Sequence, residues 1–161
     1  MSIQRVTVVG TGTMGNGIAG QAAISGFDVI LFDIDSERVK VALQQIERTY
    51  AKGLERQKVS EVSVNAARQR ISTNSNLEEA IRNADLVIEA VPENMELKKN
   101  LFASFEAHGK PGVILASNTS SLSITEIASA TQDPGNVVGM HFFNPVAVMP
   151  LVELVQGEYT R

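Results

Sequence analysis

Residues 3–33 read Ile-Gln-Arg-Val-Thr-Val-Val-Gly10-Thr-Gly12-Thr-Met-Gly15-Asn-Gly-Ile-Ala-Gly-Gln-Ala-Ala-Ile-Ser-Gly26-Phe-Asp-Val-Ile-Leu-Phe-Asp33, and their order decides the fold. Ile3 to Val9 is nearly continuous in apolar residues, the pattern of a strand covered on both faces by helices. A glycine-rich turn follows, then a helical pattern over Met14 to Ser25 that Gly26 ends as the C′ residue. Phe27 to Phe32 is the second strand, with Asp33 at its C-terminal end. Gly10 permits the tight turn, Gly12 lets backbone approach a pyrophosphate, and Gly15 lets the helix lie close to the strand. Thr13 and Met14 open that helix, whose free N–H groups and positive dipole end suit phosphates. Asp33 is placed to accept hydrogen bonds from a ribose and repels the extra phosphate of NADP, so NAD is the expected cofactor; Arg38 nearby pulls the other way.

Outward from this unit, strands and helical patterns alternate, which predicts a doubly wound, mainly parallel α/β sheet of the Rossmann type. Ser36 reads as the cap of a helix running to about Lys58, with Val39, Leu43, Ile46, Tyr50 and Leu54 as its buried stripe. Ser60 starts a further helix through Arg70, so a long helical excursion separates the second strand from a short third one at Arg70 to Thr73. Its length exceeds an ordinary crossover and implies a purpose beyond connection. Asn76 caps Leu77 to Asn83; Leu86 to Val91 is the fourth strand, with Glu89 as an acid that needs a partner if buried. Met95 to His108 is a helix with Leu97, Leu101, Phe102 and Phe105 inward, and Glu93 and Lys98 stand near its start. His108 at its C-terminus reads as structural. Gly112 to Ala116 is the fifth strand, and the polar run Ser117 to Ser121 either contacts a ligand or caps the helix Ile124 to Ala130 through Ser121 or Ser123.

Composition narrows the function classes. The chain has 161 residues, a net charge of -4 and no cysteine. That is one domain with a real core, no basic footprint for nucleic acid, and no thiol nucleophile or thiolate metal site; no metal is expected. No apolar run approaches the roughly 18 residues of a membrane span, and no signal-peptide order of charges and apolar residues opens the chain, so a cytoplasmic protein is expected.

The chemistry is expected near the other end. Val138 to Phe143 and Leu151 to Val155 read as two strands joined by a turn near Ala147, which makes the last strand antiparallel. His141 and Glu153 are equidistant from that turn and therefore face each other on one side of the sheet. A carboxylate that accepts from one imidazole nitrogen leaves the other free to take a proton, the arrangement of a general base. A histidine packed at a strand end and satisfied by a carbonyl is the other reading, and these residues alone leave both open.

GTGTMGNGIA, VIEAVPEN, ASNTSSL and HFFNPVAVMPLVELV occur in one chain, in an order and spacing that resemble the NAD-binding domain of the L-3-hydroxyacyl-CoA dehydrogenase family, 3-hydroxybutyryl-CoA dehydrogenases included. The resemblance spans essentially all of residues 1–161 and implies NAD-dependent oxidation of an (S)-3-hydroxyacyl-CoA, or the reverse reduction. It implies His141 as the base paired with Glu153, Ser120 at the substrate oxygen and Asn144 lining the same site. It implies Asp33 at the adenosine ribose, Glu93 and Lys98 near the nicotinamide, and Arg56 with its neighbours at the CoA phosphates. It also implies a helical domain that forms a homodimer and closes over the acyl chain; the sequence stops at Arg161, so a cofactor-binding half, doubtful in turnover alone, is expected. Two further classes remain: a non-catalytic NAD-binding or structural module, and another Rossmann oxidoreductase of the 3-hydroxyisobutyrate dehydrogenase type, which shares the glycine loop but gives no reason for His141 with Glu153.

Overall fold

The computed structural model describes residues 2–161. Strands β1 (Arg5–Val9), β2 (Asp28–Phe32), β3 (Ile71–Asn74), β4 (Leu86–Glu89), β5 (Ile114–Ser117), β6 (Val137–Phe142) and β7 (Val152–Gln156) form one sheet in the order β3-β2-β1-β4-β5-β6-β7. All neighbours are parallel except β6 and β7. The order reverses between β1 and β4, and the crevice at the C-terminal ends of those strands is where a doubly wound sheet binds ligands.

Among the described residues, six α-helices cover the sheet: α1 (Thr13–Ile24), α2 (Ser36–Glu55), α3 (Glu61–Arg70), α4 (Leu77–Ile81), α5 (Met95–His108) and α6 (Ile124–Ala128). Alternate strand residues point to opposite faces, so two cores form. Val6, Val8, Val29 and Leu31 pack with Ile18, Ile46 and Val64 on one face. Val9, Val87 and Leu115 pack with Ile81, Phe102, Phe105 and Ile127 on the other. The helical excursion α2–α3 builds the first core: the Tyr50 hydroxyl donates to the Gly20 carbonyl at 2.7 Å and so fastens α2 to α1. Burial, ahead of the Glu47 carboxylate beside it, pushes that phenol up to about 12.

Several boundaries differ from expectation for local reasons. Asp35, not Ser36, caps α2, its side chain accepting from the N–H of Glu37 and Arg38. A carboxylate does this better than a hydroxyl because it also meets the helix dipole with charge. Ser60 caps α3 as expected, in a reciprocal capping box with Ser63. Leu97 is 40% exposed rather than inward. It borders the cleft described below. No helix among the described residues is long and apolar enough to cross a membrane.

Candidate active site

The first half of the site is made mostly of backbone. The Gly10 N–H donates to the Phe32 carbonyl at 3.0 Å, and Gly10 has φ +110°, a conformation side chains disfavour. A Cβ on Gly15 would lie 1.9 Å from the Gly10 carbonyl oxygen, so α1 touches the turn with no space between. Gly12 is the opposite case: a Cβ there would meet nothing within 4 Å. Gly12 is also the N-cap of α1 and carries no side chain to satisfy the helix's first N–H groups, which stay open to the space in front of it. That space is a cavity of about 890 Å³ bordered by residues 10–14, Asp33, Ile34, Arg38 and the Ala90–Pro92 turn. Asp33 is 9% exposed. Its two oxygens accept from the Thr11 hydroxyl at 2.7 Å and from the Asp35 N–H at 3.0 Å, which fixes the carboxylate at the cavity wall. Open space at Gly12, unpaired helix N–H groups and a locked acid fit a dinucleotide: pyrophosphate against Gly12 and the start of α1, ribose against Asp33.

The second half is made of side chains. A cavity of about 350 Å³ shares Met14, Ala90, Val91 and Pro92 with the first, so the two form one cleft; its wall carries Glu93, Asn118, Ser120, His141 and Asn144. His141 and Glu153 are paired residues of the β6–β7 ladder. Nδ1 lies 3.1 Å from Glu153 Oε2. The carboxylate can only accept, so Nδ1 donates that hydrogen bond, and in the neutral ring Nε2 is left as the acceptor. The centroid of the Phe143 ring lies 4.6 Å from that of the imidazole, the two rings tilted by 51°. Glu153 is half exposed, because all of β7 is exposed on the sheet edge.

The polar run after β5 divides its work. Ser117 is buried and donates to Glu89 at 2.6 Å, while Thr119 and Ser121 donate to Glu93 at 2.6 and 3.4 Å. Ser123, not Ser121, caps α6. Among the described residues Ser120 is the one hydroxyl of this run with no protein partner, and it stands on the cavity wall. Asn118 was not singled out from sequence. Its side-chain oxygen accepts from the Phe142 N–H at 2.9 Å, holding β6 beside His141. The hint was its place one residue past the end of a strand at the ligand edge.

Lys98 does not stand in the cleft. Its side chain is fully buried beneath the turn, with Nζ 2.7 and 2.9 Å from the two Glu89 oxygens and 3.0 Å from Glu93. Glu89 also accepts from the Val91 N–H at 2.7 Å, so each of its oxygens is satisfied. This answers the partner that an acid inside an apolar strand requires. Burial pushes Glu93 up, but hydrogen bonds from Thr119 and Lys98 and the Lys98 charge outweigh it and hold that carboxyl below its ordinary range. Arg56 sits exposed at the C-cap of α2, apart from both cavities; Lys58 instead borders a small hollow with Asn16, Gln21 and Ala147.

The sequence model described as "3-hydroxyacyl-CoA dehydrogenase, NAD binding domain" matches residues 5–161. The probable 3-hydroxybutyryl-CoA dehydrogenase of Bacillus subtilis is 46% identical over 98% of this chain and 54% of its own length. The fatty acid oxidation complex subunit alpha of Acinetobacter baumannii is 42% identical over 98% of this chain and 22% of its own. The chain thus spans about half the length of the first relative and about a fifth of the second. The crystal structure of 3-hydroxybutyryl-CoA dehydrogenase from Escherichia coli superimposes with a TM-score of 0.95 at 40% identity, over all of this chain and 34% of that one. A mycobacterial 3-hydroxyisobutyrate dehydrogenase, at 16% identity and a TM-score of 0.59, shares the fold alone.

Proposed function

The chain belongs to the 3-hydroxyacyl-CoA dehydrogenase family through its NAD-binding domain, and from that premise we propose that it is the cofactor-binding half of an enzyme interconverting (S)-3-hydroxyacyl-CoA and 3-oxoacyl-CoA. One observation carries the reading: a histidine with its Nε2 free and its Nδ1 held by a carboxylate stands at the far end of the cleft that begins at Asp33. Bound NAD supplies the hydride acceptor for oxidation, and NADH the donor for reduction. His141 Nε2 takes the proton of the substrate hydroxyl, and in the other direction the imidazolium returns it to the forming alkoxide. Glu153 orients the ring and stabilises its charged form. The unpartnered Ser120 hydroxyl donates to the substrate oxygen, where negative charge develops, and Asn144 completes the polar wall. Thr13 and Met14 frame the phosphates beside Gly10, Gly12 and Gly15; Asp33 accepts from the ribose; Glu93 borders the nicotinamide, with Lys98 acting on it from below. Arg56, exposed on α2, is the residue offered to a CoA phosphate. A helical domain of the kind the resemblance implies closes over the acyl chain and carries the homodimer contact.

The test combines NADH binding by this chain with acetoacetyl-CoA reduction in the presence of a family C-terminal domain. His141→Gln is expected to leave NADH affinity unchanged and to cut turnover by roughly 10²–10⁴. Full turnover by that variant would sink the assignment.

A further inference from the structure

The charges beneath the second cavity do not balance. Glu89 and Lys98 are both fully buried and satisfy one another through two contacts. Glu93 draws on the same ammonium at 3.0 Å, so two carboxylates share one cation. Of the three side chains only Glu93 reaches the cavity wall, where it is 42% exposed. Among the described residues no arginine or lysine borders that cavity, and its other titratable group is His141, whose carboxylate partner is Glu153. The Thr119 and Ser121 hydroxyls hold the Glu93 carboxylate in place, so its charge is fixed rather than free to swing into solvent. A fixed charge in a cleft walled by apolar atoms acts more strongly on a neighbour than one in open water.

The inference rests on the reading that the nicotinamide half of the cofactor occupies this cavity. The oxidised ring carries one positive charge; reduction adds two electrons and one proton, and the ring becomes neutral. We propose that the Glu89–Lys98–Glu93 cluster sets one uncompensated negative charge beside the nicotinamide, so that the site holds the oxidised dinucleotide more tightly, relative to the reduced one, than it would without that charge. Glu93 is then a positioning residue with an electrostatic consequence: by binding the cationic form preferentially it shifts the cofactor's equilibrium within the site toward NAD.

The experiment measures dissociation constants of NAD and NADH for the full chain and its Glu93→Gln and Glu93→Asp variants, by calorimetry and by NADH fluorescence, without any substrate. Glu93→Gln removes the charge and, with its amide oxygen toward Thr119, keeps that acceptor while giving up the one that faces Lys98 Nζ. It should raise the ratio of the NAD constant to the NADH constant by about fivefold, the scale of one partly exposed charge at close range. Glu93→Asp should keep the ratio near that of the unmodified chain even if both affinities fall, and the Glu93→Gln effect should shrink as salt is added. A ratio unmoved in Glu93→Gln, with both dinucleotides still bound, overturns the inference alone. Failure of the unmodified chain to bind either dinucleotide overturns the reading beneath it and the inference together.

Discussion

Two pairs of a carboxylate with a basic side chain stand at the same edge of the sheet, and their settings are opposite. Glu89 with Lys98 is completely buried, each member held on several sides. His141 with Glu153 has one contact, and its side chains are 21% and 55% exposed. The buried pair holds elements together: it ties β4 to α5 directly and to β5 through Ser117. The exposed pair holds almost nothing together, and its His141 stands on a cavity wall. Burial, not residue type, separates the pair that serves as framework from the pair proposed for the chemistry.

The strongest way to break this comparison is to remove the buried cation. Lys98→Met leaves Glu89 charged and unpaired inside the protein, and urea unfolding should show a loss of about 3–5 kcal/mol. A loss below 1 kcal/mol would place Lys98 among surface groups and end the distinction. The next test works on the exposed pair, where Glu153→Gln should move the unfolding free energy by less than about 1 kcal/mol. Under the proposed role of Glu153 in stabilising the imidazolium, the same change should lower acetoacetyl-CoA turnover in the reconstituted enzyme by roughly 10–100-fold. The smallest effect comes from an intermediate pair, Asp85 with Lys110, at the opposite edge of the sheet. Hydrogen bonds from Lys110 and from the Arg5 and Gln4 N–H groups hold Asp85 well below its ordinary value of 3.8. Its folded form therefore stays ionised where the unfolded chain takes up a proton. The stabilisation is complete above about pH 4 and is lost as pH falls below it. Asp85→Asn should lower the melting temperature most near pH 7 and flatten that acid limb, so that the two curves of a thermal-melting series converge as pH falls.

The fold was legible because its signals are local and backbone-driven. Gly10, Gly12 and Gly15 lie within six residues, and the strand before and helix after them leave few alternatives. The pairing of His141 with Glu153 was legible for a similar reason, since hairpin symmetry about Ala147 places them opposite. The burial of Lys98 against Glu89 was not legible, because nothing in its neighbours along the chain reveals that Glu89, nine residues earlier, points under the same turn. Asn118 and Thr11 escaped notice for the same reason: each acts on a residue more than twenty positions away, Phe142 and Asp33. Leu97 fits an inward apolar stripe in its spacing, yet it faces a cleft, and periodicity does not distinguish a core from a binding wall.

The antiparallel joining of β6 to β7 has a consequence for chain length. Successive side chains of a strand alternate faces, so the nine residues between Phe142 and Val152 must keep their parity for Glu153 to share a face with His141. One residue gained or lost there would carry the carboxylate to the far side of the sheet while the strands still paired. Two gained or lost would return it to the right side, one step out of position. The spacer therefore tolerates change in sequence far more readily than change in length, and a lineage carrying an odd insertion there would keep its nucleotide-type cleft while losing the carboxylate that meets His141 Nδ1.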